Sequence, residues 1–136
     1  MKKRSVLFID DEPENIKNYV DYLEFEGFEV STCTFLEDLD KALKRKTFDV
    51  IILDVIIQPK AIGAPPKTDN QKNKIHRAGL TIGLPKLKKL KKPIIILTNV
   101  PLNQLDDQDL SGFKVIGQLF KPLTKPSKLL NMINRA

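Results

Sequence analysis

The sequence predicts an α/β domain built around a parallel β-sheet. Segments typical of strands alternate with segments typical of helices along the chain. Two almost purely apolar runs, 50–53 and 94–97, have the length and the β-branched composition of strands that are covered on both faces. With 136 residues, of which 41% are hydrophobic, the chain has the size and the apolar content of one domain with one core. We therefore expect a single domain spanning residues 1–136.

The first strand and the first helix follow from apolar spacing. Val6–Ile9 is a short apolar run, and Pro13 then stands where the first turn of a helix tolerates proline. Apolar residues recur at helical spacing after it, namely Ile16, Tyr19, Val20 and Leu23. Gly27 is expected to end this helix, and Phe28–Thr32 is predicted to be the second strand.

The second helix and the third strand are predicted in the same way. Leu36, Leu39, Ala42 and Leu43 share one face of a helix, and the basic run 44–46 is favourable at its C-terminus. Phe48–Leu53 is predicted to be a buried strand, and Asp54 follows it directly.

Between residues 58 and 81 the sequence shows neither helical nor strand periodicity. This stretch contains three prolines, two glycines and scattered lysines, so we predict a long inserted loop. Between Lys60 and Lys92 there are ten Lys or Arg and one acid, Asp69, a net charge of +9, whereas the remainder has 13 basic and 16 acidic residues, a net charge of −3. The chain therefore combines a mildly acidic domain with a basic segment.

The last third predicts two strands and three helices. A helix over 84–91 has Pro85 in its first turn, and Pro93 stops it. Ile94–Leu97 is the fourth strand, a helix is weakly supported over 102–110, Val115–Phe120 is the fifth strand, and 127–134 is the final helix. The prediction therefore contains five strands and five helices.

Composition excludes several classes of protein. The single histidine, His76, and the single cysteine, Cys33, cannot form a zinc cage or an internal disulfide. We expect His76 to be a loop residue and Cys33 a small buried side chain. No apolar run reaches the ~18 residues of a spanning helix, and the N-terminal residues lack the pattern of a signal peptide, so we expect a cytoplasmic protein.

Polar residues follow four of the predicted strands, directly after the carboxyl end of each strand. They are Asp10, Asp11, Asp54, Thr98 and Lys121. Because the carboxyl ends of parallel strands meet at one edge of a sheet, we expect these side chains to lie close together. A cluster of carboxylates is stable only beside a cation, and hard oxygen ligands favour Mg²⁺. Taken singly, each residue could instead be a helix cap, a turn residue or a solvated charge.

Four strings, VLFIDDEPEN, DVIILDV, PIIILTN and LFKPL, occur in the order typical of response regulator receiver domains. Together they resemble that family over essentially the whole chain apart from the long loop. The resemblance implies a doubly wound, flavodoxin-like sheet of five parallel strands in the order 2-1-3-4-5, flanked by five helices.

The resemblance also implies roles for individual residues. Asp54 would accept a phosphoryl group from a histidine kinase or a histidine phosphotransfer protein. Asp10, Asp11, Asp54 and the backbone carbonyl of Ile56 would hold Mg²⁺. Lys121 would pair with the phosphoryl oxygens, and the hydroxyl of Thr98 would move to hydrogen-bond them. The Lys121–Pro122 peptide bond would be cis.

Three features depart from the family pattern. Gln118 stands where receivers usually have a tyrosine or a phenylalanine, and Asn99 stands where a small residue is usual. The third departure is the basic loop, which is either a solvated insertion or a docking surface for an acidic kinase, an anionic second messenger or nucleic acid. Nucleic acid is the least favoured of these, because no Phe, Tyr or Trp occurs in 59–93 to stack on bases.

We therefore expect a stand-alone, Mg²⁺-dependent phosphoacceptor in two-component signal transduction, which either binds a downstream protein target or relays the phosphoryl group. It would be a regulatory protein that at most catalyses its own phosphorylation and dephosphorylation. Two alternatives remain open at this point. One is a receiver-like interaction module that uses the basic loop without phosphorylation, and the other, ranked last, is an Mg²⁺ hydrolase with an aspartate nucleophile.

Overall fold

The computed structural model describes residues 3–57, 83–105 and 110–136. Their strands are β1 Ser5–Ile9, β2 Glu29–Cys33, β3 Val50–Leu53, β4 Ile94–Thr98 and β5 Val115–Phe120. Their α-helices are α1 Lys17–Phe25, α2 Leu39–Arg45, α3 Leu84–Leu87 and α4 Pro126–Asn134. Short 3-10 turns lie at Pro13–Asn15, Leu36–Asp38, Lys88–Leu90, Leu102–Gln104 and Lys121–Leu123.

All five strands are parallel and form one sheet in the order β2-β1-β3-β4-β5. This order confirms the predicted doubly wound architecture. It places β1 beside β3, with Ile9 paired to Leu53, so the residues that follow these two strands begin side by side. The edge strands are β2 and β5.

Successive residues of the inner strands point to opposite faces of the sheet. On one face Leu7, Ile51 and Ile96 pack in a core with buried leucines of α2 and α3. On the other face Phe8 and Ile52 pack in a core with buried residues of α1 and α4. Because both faces are covered, the central strands consist almost entirely of apolar residues, which explains the uninterrupted apolar runs of the sequence.

The pairing of β4 with β5 contains one irregularity. Ile94 pairs with Val115 and Ile95 pairs with Gly117, so Ile116 is an extra residue in a β-bulge. Beyond it the pairing is regular, and Thr98 lies opposite Phe120 at the end of both strands.

The helix boundaries differ in detail from those predicted. Pro13 begins a 3-10 turn, and α1 starts only at Lys17. After α1, Gly27 has a positive φ of 95°, a conformation that glycine adopts without strain, and the helix ends there as predicted. The helix predicted over 84–91 is α-helical only through Leu87, and it ends at Lys91, which is left-handed with φ 53°.

The helix predicted over 102–110 is wrong at its start. Only Leu102–Gln104 forms a turn, and Leu105 is extended, with φ −91° and ψ 130°. Residues 106–109 lie outside the described part of the chain, as do His76 and the basic loop predicted at 58–81. Cys33 is a free, buried cysteine, as predicted. No helix of the described residues has both the length and the apolar character needed to span a membrane.

Candidate functional site

The carboxyl ends of the strands bring the predicted site residues to one edge of the sheet. Asp10 follows β1, Asp54 follows β3, Thr98 ends β4 and Lys121 follows β5. The ladder continues beyond β3, because the Asp54 amide donates a hydrogen bond to the carbonyl of Ile9 at 3.0 Å. The two aspartates are therefore placed by neighbouring strands, and the position of each backbone is set by the sheet.

Three carboxylates form the centre of this site. One oxygen each from Asp10, Asp11 and Asp54 lie within 4.8 Å of one another. Asp10 is 4% exposed and Asp54 is 6% exposed, whereas Asp11 is half-buried. Such a set of oxygen donors can hold a hard divalent cation.

Lys121 lies against two of these carboxylates. Its Nζ is 2.6 Å from Oδ2 of Asp10 and 3.1 Å from Oδ2 of Asp54. Only 9% of Lys121 is exposed, so this charge is compensated inside the protein and not by bulk water. The ammonium group thus bridges the aspartates that follow β1 and β3.

Burial and charge act in opposition on these groups. Burial raises the pKa of Asp10 to about 6, although hydrogen bonding to Lys121 and the positive charge of Lys121 both act to lower it. Burial alone would lower the pKa of Lys121, but the negative charges of Asp54 and Asp10 outweigh it, and the pKa of Lys121 is raised. Lys121 is therefore an ammonium cation at neutral pH.

The two buried aspartates are held by the same pattern of hydrogen bonds. In each, Oδ2 accepts from Lys121 and Oδ1 accepts from a main-chain amide two residues further along. The amide of Glu12 donates to Asp10 at 2.9 Å, and the amide of Ile56 donates to Asp54 at 3.2 Å. Both carboxylates are thereby fixed in orientation before any ligand binds.

Thr98 is fully buried at the end of β4, and its Oγ1 accepts a hydrogen bond from the Val100 amide at 3.2 Å. Within the described residues, no hydrogen bond joins Thr98 to Asp54 or to Lys121. A hydroxyl that accepts one hydrogen bond can still donate its own proton. Thr98 is therefore a buried donor at the same edge of the sheet as the aspartates.

Of the two residues that depart from the receiver pattern, Asn99 lies at this edge, directly after β4, and Gln118 lies within β5. Asn99 is exposed, whereas Gln118 is half-buried in β5 opposite Ile96. Glu12 is exposed, and its side chain accepts a hydrogen bond from the side chain of Asn15 in the turn that precedes α1.

The Lys121–Pro122 peptide bond is trans, since the described residues contain no cis peptide bond. The predicted cis bond is therefore wrong.

One contact near the site was missed in the sequence. The hydroxyl of Tyr19 donates to the carbonyl of Thr124 at 2.7 Å and lies 3.3 Å from the carbonyl of Lys121. By its spacing Tyr19 is one residue of the apolar face of this helix. The signal that distinguishes it in the sequence is its hydroxyl, since the other positions of that face, Ile16, Val20 and Leu23, are aliphatic.

Comparisons with known proteins identify the fold. No protein-family model matches the sequence, and no curated protein matches it. Solved structures do match. The BeF3-activated N-terminal receiver domain of RstA from Klebsiella pneumoniae superposes with a TM-score of 0.73 at 18% identity, and 97% of each chain is covered.

Two further receivers give similar values. A CheY-like response regulator receiver domain protein from Methanospirillum hungatei has a TM-score of 0.70 at 20% identity, covering 98% of this chain and 93% of the other. The response regulator TrrA from Thermotoga maritima, in complex with Mg²⁺ and BeF, has a TM-score of 0.69 at 20% identity, and 97% of each chain is covered. This chain therefore has the fold of the CheY-like receiver domains.

Proposed function

We propose that this chain is a Mg²⁺-dependent phosphoacceptor receiver of two-component signal transduction, with Asp54 as the residue that is phosphorylated. The observation that carries the proposal is the contact of Lys121 with Asp54 inside a cluster of three carboxylates. A buried aspartate held beside an ammonium group and two further acids is suited to accepting a negatively charged phosphoryl group.

The donor set fits Mg²⁺. Three ionised carboxylates against one ammonium group leave two negative charges, which one divalent cation would balance. Asp10, Asp11 and Asp54 would hold the ion, together with the backbone carbonyl of Ile56. The bound ion would neutralise negative charge on the phosphoryl oxygens as a Lewis acid.

The reaction assigned to Asp54 is a phosphoryl transfer. A carboxylate oxygen of Asp54 forms a bond to phosphorus while the bond from phosphorus to the donor histidine nitrogen breaks, and the bonding electrons stay with that nitrogen. Lys121 is already within hydrogen-bonding distance of Asp54 and would donate to the transferred oxygens. The buried hydroxyl of Thr98 would supply a second hydrogen-bond donor.

We further propose that the partners are a histidine kinase or a histidine phosphotransfer protein as donor and an unidentified downstream protein as target. The chain would be a regulatory protein of the cytoplasm, and 1–136 would be one receiver domain with a basic insertion at about 58–81. TrrA, whose structure contains Mg²⁺ and BeF, supports the choice of metal by analogy of fold.

The test is the intact mass of the protein after incubation with acetyl phosphate, with Mg²⁺ and with excess chelator. We expect a gain of one phosphoryl group, about 80 Da, in the wild type with Mg²⁺ and no gain in Asp54→Asn. Asp21→Asn, which alters an exposed aspartate on α1, is the matched control and should be phosphorylated like the wild type.

If acetyl phosphate fails, a histidine phosphotransfer domain carrying phosphohistidine serves as the donor. Absence of phosphorylation by both donors would reject the proposal. The chain would then be better described as an interaction module that acts without phosphorylation, and the basic segment would be the first place to search for a partner.

A further inference from the structure

Tyr19 connects helix α1 to the segment that carries Lys121. Its side chain is 4% exposed, and its hydroxyl donates to the Thr124 carbonyl at 2.7 Å and lies 3.3 Å from the Lys121 carbonyl. The first distance is that of a good hydrogen bond, and the second is a weaker contact to the residue whose side chain enters the site.

The segment from Phe120 to Thr124 is held by its own hydrogen bonds as well. Thr124 Oγ1 donates to the carbonyl of Phe120 at 2.7 Å, and the Thr124 amide donates to the carbonyl of Lys121 at 3.1 Å. Thr124 is itself buried. The Tyr19 hydroxyl is therefore a side-chain contact that fixes this turn against another helix, whereas the Thr124 bonds close the turn on itself.

Helix α1 is also the helix that follows the acidic pair. The chain passes from Asp10 and Asp11 through one 3-10 turn directly into α1, so the helix that carries Tyr19 is the one that leads away from the acids. Burial raises the pKa of Tyr19, and the positive charge of Lys121 offsets this only in part. The phenol thus remains protonated and able to donate at neutral pH.

We propose that Tyr19 is a positioning residue for Lys121, fixing the ammonium group relative to Asp54 through the backbone of residues 121–124. This inference rests on the proposed function, because the task of Lys121 in phosphoryl transfer is part of that proposal. A displacement of even about 1 Å in a charged group that acts on the reacting phosphoryl group lowers the reaction rate strongly.

The experiment compares Tyr19→Phe, which keeps the ring and removes only the hydroxyl, with two controls. Tyr22→Phe removes the hydroxyl of a half-buried tyrosine on the same helix. Ile133→Val trims a fully buried side chain of α4 in the same core as Tyr19, and so reports what a general loss of packing does. Each variant is phosphorylated with acetyl phosphate at saturating Mg²⁺.

We expect Tyr19→Phe to lower the saturated phosphorylation rate about five- to tenfold. Its Mg²⁺ dissociation constant should stay within about twofold of the wild-type value, because the three carboxylates are unchanged. Both controls should keep the wild-type rate. Nitrogen-15 spectra of the lysine ammonium groups supply a second readout, in which the Lys121 signal, assigned by its loss in Lys121→Arg, should shift or broaden only in Tyr19→Phe.

A wild-type rate together with an unmoved Lys121 signal in Tyr19→Phe would overturn the inference. So would an equal loss of rate in Ile133→Val, since the effect would then come from packing in general. Failure of the proposed function is distinguishable from both results, because the wild type itself would then gain no phosphoryl group.

Discussion

Asp10 and Lys121 are 111 residues apart in the chain, yet their side chains form a buried ion pair with 2.6 Å between Oδ2 and Nζ. The same ammonium group contacts Asp54, so one cation compensates two buried acids. Because neither acid is well exposed to water, the energetics of the site depend on this one lysine.

Replacing Lys121 with methionine should destabilise the metal-free protein by about 3 kcal/mol, because two buried carboxylates lose their counter-charge. Saturating Mg²⁺ should restore part of the loss by supplying another cation. Urea unfolding with and without Mg²⁺ measures both effects. Lys17→Met, which breaks an exposed pair with Asp21, should cost much less, and equal losses in the two variants would contradict the expectation.

The affinity for Mg²⁺ should fall as the pH drops through about 6, because burial raises the pKa of Asp10 to about 6 and a protonated carboxyl is a poor ligand. Well below that pH the decline should approach about tenfold per pH unit. Calorimetric titrations between pH 5 and 8 test this, and an affinity independent of pH in that range would refute it. In Asp10→Asn the affinity should be low at every pH.

The raised pKa of Asp10 has the opposite pH effect on the folding stability of the metal-free protein. The folded protein holds the Asp10 proton more tightly than the unfolded chain does, because the pKa of Asp10 is raised on folding. This group should therefore make folding more favourable as the pH falls from 7 toward 4. Urea unfolding in chelator at several pH values would show this contribution as the difference between the wild type and Asp10→Asn.

Gly117 is required by a close approach of Met132. A Cβ added at Gly117 would clash with Sδ of Met132, so the methionine side chain would have to move. We expect Gly117→Ala to lower the free energy of unfolding by about 1 kcal/mol, since a flexible methionine can partly adapt. In the Met132→Ala background the same change should cost less, and additive losses in a double-mutant cycle would rule out this explanation.

The aspartyl phosphate should hydrolyse slowly. Ile56 and Val100, two residues beyond Asp54 and Thr98, are apolar and pack against the core, so neither can orient an attacking water. The phosphorylated mass should persist for many minutes after the donor is removed. Ile56→Asn should shorten this lifetime and Ile56→Leu should leave it unchanged, whereas a wild-type half-life of seconds would disprove the idea.

The position of the site could be predicted because it depends on topology more than on packing. Asp54 and Lys121 each directly follow a strand, and parallel strands deliver such residues to one edge of the sheet whatever the details of the core. The sheet order itself came from the family resemblance. The distance from Lys121 to each aspartate depends on side-chain conformations, which no spacing pattern contains.

Other features could not be predicted because they arise from tertiary contacts. Tyr19 fits the apolar face of α1 by its spacing, and only the folded chain reveals the carbonyl groups that face its hydroxyl. Gly117 looks unfavourable in a strand until Met132 is seen to fill the space above it. Leu105 is extended although its neighbours permit a helix, and the cis bond that the family resemblance implies at Pro122 is trans in this chain.

The bulge at Ile116 determines where the chain can change in length. Val115 packs against the core beneath α2 and α3, whereas Leu119 belongs to the core beneath α1 and α4, although an uninterrupted strand would turn both to one side. The surplus residue is therefore absorbed at Ile116 and is not passed on toward Lys121. Deletion of Ile116 would leave the side chains that follow it on their present faces of the sheet. Deletion of one residue between Gly117 and Phe120 would turn Lys121 away from the carboxylates and shift it by about 3.3 Å along the strand.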